Sequence, residues 1–415
     1  MGDLTLDGRW LFITRLTRMF GYGFLSVVLV LYLAQLGFSE TSIGVLLSLT
    51  LLGDTLISLW LTTRADRFGR RKTLIAGALL MIFAAGLFAV TRNFGVLLVA
   101  ATIGVISPSG NEVGPFLSIE QAALSHIVAS TKRTSVFAWY NLAGSFATAL
   151  GALSGGGLAQ LLQNSGVTPV DSYRANVIGY GLIGLLLLLI FTRLSAQVEA
   201  AHSPTRFQSL PARTEERTLL GLRRARRVVF KLSALFSLDA FAGGFIVQSF
   251  VAYWFHVRFG VEPALLGGIF FAANVLAGVS ALLAARIAQR IGLIRTMVYT
   301  HLPSNVLLML VPLMPSLPLA IGVLLVRFSI SQMDVPTRQS YTMAVVEPEE
   351  RSAAAGVTGV ARTTGAALSP SLAGALLSQA SLVSVPFLIA GGLKIVYDLL
   401  LYRSFKMIKP PEERV

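Results

Sequence analysis

The 415-residue chain has no cysteine, so neither a disulfide framework nor a thiolate metal site can form. Histidine is nearly as scarce: His126, His202, His256 and His301 lie far apart and form no ligand cluster in the sequence. Charge is also sparse. Only 13% of residues are Asp, Glu, Lys or Arg, against roughly 25% in a soluble domain, so the chain lacks the polar surface to meet water on every side. No phosphate loop, zinc motif or nucleophile elbow is present, which argues against an enzyme and against ATP-driven pumping, and no metal or cofactor is expected. Gly179-Tyr180-Gly181-Leu182-Ile183-Gly184 fits a dinucleotide fingerprint, but it lies inside an apolar run with no preceding strand.

Apolar sequence is what the chain has in quantity: 54% of residues are hydrophobic, at a mean hydropathy of +0.71. This material comes in runs close to the ~20 residues a helix needs to cross hydrocarbon. Expected spans are Leu11 to Leu36, Thr41 to Thr63, Thr73 to Val90, Gly95 to Ser118, Thr134 to Leu162 and Arg174 to Leu194. Six more follow: Val228 to Val257, Glu262 to Ala288, Leu293 to Met314, Leu317 to Met343, Ala353 to Gln379 and Leu382 to Phe405. The first span follows Arg9 almost at once and continues at full length, so no cleavable signal peptide is expected. The net charge of +14 does not point to nucleic acid, because the basic residues sit in the loops. With the first terminus inside, the inner loops carry 20 Lys and Arg and the outer loops only Arg92, Arg174 and Arg258. That bias predicts an inner (plasma) membrane protein with both termini in the cytoplasm. The aromatic stretch Phe250 to Phe255 reads as an outer-interface belt.

The stretch from Ser195 to Arg227 is hydrophilic and ends in a basic run, Arg223-Arg224-Ala225-Arg226-Arg227, suited to a membrane surface. It divides the chain into an expected six-helix bundle at 1–194, a cytoplasmic linker at 195–227 and a second six-helix bundle at 228–415. The two halves repeat each other. At an offset of 223, Gly37 matches Gly260, Gly44 matches Gly267, Arg67 matches Arg290, Gly69 matches Gly292 and Thr73 matches Thr296. At an offset of 218, Gln121 matches Gln339, Arg133 matches Arg351, Leu150 matches Leu368 and Gly156 matches Gly374. Duplicated bundles of this kind build secondary transporters, with the solute site at the midplane between them.

The most specific segment is Thr62-Thr63-Arg64-Ala65-Asp66-Arg67-Phe68-Gly69-Arg70-Arg71-Lys72, between spans 2 and 3. Gly69 permits a tight turn, Asp66 can accept from a helix N-terminus or an arginine, and the arginines can bridge helix ends or lipid phosphates. A degenerate copy, Ala288-Gln289-Arg290-Ile291-Gly292, stands at the matching place in the second half. In these features the chain resembles the major facilitator superfamily, with Thr62 where the family's opening glycine stands. The resemblance covers the whole chain and implies an all-α membrane fold of twelve helices in two pseudo-symmetric bundles. It also implies a gating loop made by Asp66, Arg67, Gly69, Arg70 and Arg71, which latches the two halves. A Gly-Pro pattern that the family associates with antiporters has an alanine, Ala152, at the proline position of span 5. At the matching place span 11 runs Gly365 to Pro370 and keeps the proline; packing and antiport are both open readings.

Charges within spans mark the transport path, because each is costly in hydrocarbon unless it is paired or borders water. Arg15, Arg18 and Tyr22 share one face of span 1, Asn111 and Glu112 lie beside Pro108 and Pro115 in span 4, and Asp239 is in span 7. Span 10 carries Arg327, Asp334 and Arg338 within one arc. These eight side chains besides Glu112 are the candidates for the solute cavity, although Arg15 and Arg18 could instead snorkel to the inner interface. Asp54 and Glu112 are the candidates for proton coupling, since a carboxylate in a poorly hydrated cavity can take up and release a proton. Asp54 could equally partner Arg15 or Arg18, or lie at the interface. Arg362 sits about ten residues into span 11, and Lys394 and Asp398, at i and i+4, are expected to neutralise one another. The expectation is a monomer that moves a small molecule by alternating access with protons as the driving ion, as proton-coupled efflux of a drug-like or toxic compound. Uptake or exchange of an organic anion is the alternative, and a membrane sensor or scaffold without transport is the reading from another class.

Overall fold

The computed structural model describes residues 5–128, 133–199, 222, 225–347 and 350–408, without the side chains of residues 66, 126, 133–135 and 352. The first half holds α1 (Leu6–Ser26), α2 (Leu29–Gln35), α3 (Glu40–Phe68), α4 (Arg70–Val90), α5 (Phe94–Ile103), α6 (Phe116–Ile127), α7 (Arg133–Asn164) and α8 (Pro169–Phe191). The second holds α9 (Arg226–Gly244), α10 (Gln248–Phe259), α11 (Pro263–Ile291), α12 (Leu293–Leu310), α13 (Leu317–Phe328), α14 (Asp334–Ala344), α15 (Arg351–Leu377) and α16 (Val385–Phe405). Helix starts follow local chemistry. Ser39, Asn93 and Thr168 each accept a hydrogen bond from the exposed N–H groups of α3, α5 and α8, and Pro169 and Pro263 occupy first-turn positions that need no N–H. Most of the expected 195–227 linker lies outside the described residues.

These sixteen helices make twelve spans. Eight stretches are long and apolar enough to cross a membrane by themselves, and the bent pair α1–α2 makes a ninth. The remaining three are α5–α6, α13–α14 and α15, the last rich in Gly, Ala, Ser and Thr. Spans 1, 4, 7 and 10, the first of each three-helix unit, are all interrupted: α1–α2, α5–α6, α9–α10 and α13–α14. Sequence reading expects Gly95 to Ser118 to run unbroken, but residues 104–115 are not helical. Gly110 (φ +68°) and Gly114 (φ +81°) hold conformations other residues avoid, and Pro115 has no N–H to continue a helix.

The two halves join where small residues let backbones touch. Gly44, early in α3, meets Gly374 late in α15, and Gly156, late in α7, meets Gly267 early in α11. A Cβ on any of the four would fall within 3 Å of the facing backbone. The repeat thus pairs across the interface: each copy on span 2 or 8 packs against the other half's copy on span 11 or 5. Both crossings lie toward the end opposite the start of α1 and the finish of α16. Polar bridges reinforce the junction at or beyond mid-depth. Gln248 Nε2 donates to Ser26 Oγ (2.8 Å), Ser249 N–H to the Pro108 carbonyl (3.1 Å), Tyr253 OH to Glu40 Oε1 (2.5 Å) and Ser371 N–H to Ser48 Oγ (2.9 Å).

Candidate solute cavity and its charge clusters

Interrupting a span inside a membrane frees backbone groups that lipid cannot satisfy. Around residues 104–115, side chains take them up. Tyr180 OH donates to the Val105 carbonyl (2.8 Å), Tyr22 OH to the Val113 carbonyl (2.9 Å) and Ser107 Oγ to the Asn111 carbonyl (2.7 Å). The Gly114 N–H donates to Asp54 Oδ1 at 2.6 Å, with Ser58 Oγ on the same oxygen at 3.2 Å. Asp54 is therefore anchored on the broken backbone and not paired to Arg15 or Arg18. Tyr22, fully buried, holds that segment in place.

Next to the broken segment lies the first charge cluster. Arg15 and Arg18, three residues apart on α1, both reach Glu112: Arg15 through Nη1 to Oε2, and Arg18 through Nε to Oε1 at 2.8 Å. The guanidinium of Arg18 also makes a two-pronged pair with Glu120 (2.7 and 2.7 Å), and both side chains are wholly buried. Thr14 Oγ1 (2.8 Å) and the Tyr140 hydroxyl donate to the same Glu120 carboxylate. The geometry is that of a paired, hydrogen-bonded internal cluster, not of side chains reaching out to the interface. Sequence reading missed Glu120, Thr14 and Tyr140. The signal for Glu120 was available: it is the one acid in the apolar stretch between Gly114 and Ile127.

The second half contains a larger cluster. Asp239 on α9 receives Lys394 Nζ (2.6 Å) and Arg338 Nη1 (3.1 Å), and Arg338 also reaches Asp334 (3.1 Å) one turn away on α14. His301 on α12 bonds Asp398 (2.9 Å), which also accepts from Asn305 Nδ2 (2.9 Å). The expected Lys394–Asp398 pairing is corrected here: adjacent helices offer Lys394 a closer acid and Asp398 two closer donors. His301 was not singled out from sequence, because its bonded carboxylate, Asp398, lies 97 residues away. Arg327 is buried with its guanidinium against the Phe328 ring (4.9 Å), and its Nε has no hydrogen-bond partner among the described residues.

Between the halves is a cavity of about 250 Å³ lined by Asp54 and Thr55 of α3, Ser109, Asn111 and Glu112 of the broken segment, and Arg362 and Thr363 of α15. Of the predicted residues it brings together Asp54, Asn111 and Glu112, and Glu112 leads from it to Arg15 and Arg18. Asp239, Asp334 and Arg338 are brought together in the second-half cluster; they do not line the cavity, but Arg362, which does, feels the charge of all three. A larger groove of about 450 Å³ runs between α1 and α8, walled by Trp10, Ile13, Leu186 and Leu189 with Arg193. It is mostly apolar and carries no carboxylate.

At the predicted gating loop, Gly69 (φ +99°) turns the chain from α3 into α4. Glu199 accepts the Arg70 and Arg71 N–H groups (2.6 and 3.2 Å) and so caps α4, a role sequence reading offered to Asp66. The Arg70 and Arg71 guanidiniums reach the Val198 and Thr192 carbonyls, within the first half. Arg67 is exposed, and the Asp66 side chain lies outside the described residues.

A membrane protein of two facing helical bundles, with interrupted spans around a charged cavity at their junction, has the architecture of a solute carrier. The chain belongs to the Major Facilitator Superfamily, whose family model matches residues 11–333. It is 30% identical over 410 residues to the uncharacterized membrane protein YJR124C of Saccharomyces cerevisiae, an alignment covering 94% of this chain and 91% of that one. A shorter likeness, 33% over 87 residues, relates 21% of the chain to 22% of the quinolone resistance protein NorA of Staphylococcus aureus. The fold superposes on a crystal structure of a D-xylose-proton symporter with a TM-score of 0.72 at 14% identity, covering 95% of this chain and 97% of that one. The chain is thus a transporter-family protein and not a member of an enzyme family.

Proposed function

We propose that the chain is a proton-coupled secondary transporter that moves a small polar solute by alternating access around the inter-half cavity. The carrying observation is the cavity's position and lining. It lies between two bundles that interlock toward one end, and Asp54 borders it without a cationic partner among the described residues. Glu112 also borders it, but two arginines hold its charge, so Asp54 is the better site for a proton that comes and goes. At about 250 Å³ the cavity is smaller than the roughly 300–1,000 Å³ typical of drug-sized ligands. Charged, hydroxyl and amide side chains stand among Leu51, Val113, Ala240 and Ala366 in its lining, which favours a compact solute with a polar group.

The bias of 20 inner to three outer basic residues supports both termini in the cytoplasm and an inner (plasma) membrane location. Because both walls of the cavity come from one chain, the monomer is the working unit. Arg67, Gly69, Arg70 and Arg71, with Asp66, form the loop that adjusts as the cytoplasmic side opens and closes. Reconstitution in proteoliposomes under an imposed pH gradient tests the reading. Gradient-driven flux disappears in Asp54→Asn while solute exchange persists; unchanged gradient-driven flux in both Asp54→Asn and Glu112→Gln contradicts it. No flux for any compound alongside solute-independent signalling would instead support a sensor.

A second reading is efflux of a drug-like compound, favoured by the local likeness to NorA and by Pro370 in span 11. Growth under toxicant challenge with and without the protein separates the two.

A further inference from the structure

One cavity charge is left unused by the clusters already described. Arg362 enters the cavity from the second half, and its buried Nε has no hydrogen-bond partner among the described residues. Within the described residues the first-half cluster balances itself, with Arg15 and Arg18 against Glu112 and Glu120. Among the described residues no ion pair joins Arg362 to Asp54 across the cavity, and the charged neighbours of Arg362 are Arg338, which repels it, and Asp239 and Asp334 of the second-half cluster. A desolvated guanidinium with an unmet donor is a fork waiting for an acceptor of matching charge. Its neighbours Thr363, Ser109 and Asn111 supply further polar groups for a small solute.

Resting on the transport reading above, we propose that Arg362 is the anion receptor of the cavity and that the solute is a small monoanion carried together with one proton on Asp54. The reasoning is charge balance. In the empty cavity Asp54 is held by the Gly114 N–H and Ser58 Oγ, and Arg362 lies near Asp239, Asp334 and Arg338. An anion seated on Arg362 puts a second negative charge into the poorly hydrated space that Asp54 borders, and a proton on Asp54 removes it. Charged or titratable groups facing Asp54 are Glu112 of the broken segment, tied to Arg15 and Arg18 of α1; Tyr22 of α1; Tyr180 of α8; and Arg362 of α15. Both tyrosine hydroxyls are committed to carbonyls, so Asp54 and Arg362 are the pair free to respond. Because these two sit on opposite halves, the bound anion also bridges them.

The test uses the purified full chain in detergent, so no flux is required. Lactate, inorganic phosphate, glycine, glycerol and tetramethylammonium are the probes, read by thermal shift and by proton uptake in weakly buffered solution. The expected result is that lactate or phosphate stabilises the protein, with about one proton taken up per anion bound, as linkage requires. Affinity weakens about 10- to 100-fold in Arg362→Gln, the loss expected for charge-assisted hydrogen bonds, and less in Arg362→Lys. Asp54→Asn keeps anion binding and loses the proton uptake. Stabilisation by glycerol, tetramethylammonium or proton-silent glycine alone overturns the proposal, as does anion binding unchanged in Arg362→Gln or no response to any anion. Anion binding that depends on Arg362 without gradient-driven flux would sink the transport reading and leave the assignment of Arg362 as anion receptor standing. Flux with Arg362-independent binding would do the reverse.

Discussion

The two halves share a plan and differ in what they do with charge. The first-half cluster joins α1 and the α5–α6 segment with Tyr140 of α7; the second joins α9 and α14 to α12 and α16. The first-half cluster opens onto the cavity through Glu112, whose side chain is 16% exposed, and sets two arginines against two glutamates. The second-half cluster is sealed, with Asp239 and Asp334 at 8% and 6% exposure. It sets Arg338 and Lys394 against Asp239, Asp334 and Asp398, with His301 as the group able to supply a third positive charge. One set borders the inter-half cavity and the other is buried within its own bundle. Duplication fixes where charged spans stand; divergence fixes which side borders the cavity.

The largest expected effect breaks the buried centre of the first cluster. Glu120→Ala leaves Arg18 without its two-pronged partner in a fully buried place, a loss of about 3–5 kcal/mol. A steep fall in the detergent melting temperature checks it. The matching second-half change, Asp334→Ala, is expected to cost only about 1–3 kcal/mol because Arg338 keeps Asp239. Equal losses would mean the clusters are equivalent after all. Gly156→Val pushes a side chain into the Gly267 backbone, an overpacking cost of about 1–3 kcal/mol borne by the closed junction. Gly268→Val, at a position with open space, is the control, and limited proteolysis or spin-label distances report the shift. The smallest effect is Tyr22→Phe, which removes one hydrogen bond to the Val113 carbonyl for about 0.5–1.5 kcal/mol. Unfolding midpoints measure it, and anion binding stays close to normal.

Much of the fold is legible in the sequence because its signals are local. Apolar run length gives twelve spans, and the repeat gives the two bundles. Even the junction is foreshadowed, since Gly44, Gly156, Gly267 and Gly374 are repeat matches that meet one another. The breaks at 104–115 had their signal in Pro108, Gly110, Gly114 and Pro115. The partner choices were not legible. Arg18 finds Glu120 across 102 residues and Lys394 finds Asp239 across 155, so proximity in sequence favoured the wrong acid for Lys394. Capping of α4 by Glu199 is invisible for the same reason. Arg362 looked like one charge among several until the cavity placed it opposite Asp54.

The absence of native cysteine permits one clean test of rocking about the cavity. The Ser371 backbone N–H lies 2.9 Å from Ser48 Oγ across the two halves, so cysteines at Ser48 and Ser371 come within reach of a short reducible bifunctional thiol reagent against a silent background. Cross-linking should stop proteoliposome flux completely, and reduction should restore it. Full-rate flux through quantitatively cross-linked protein would contradict alternating access in this chain.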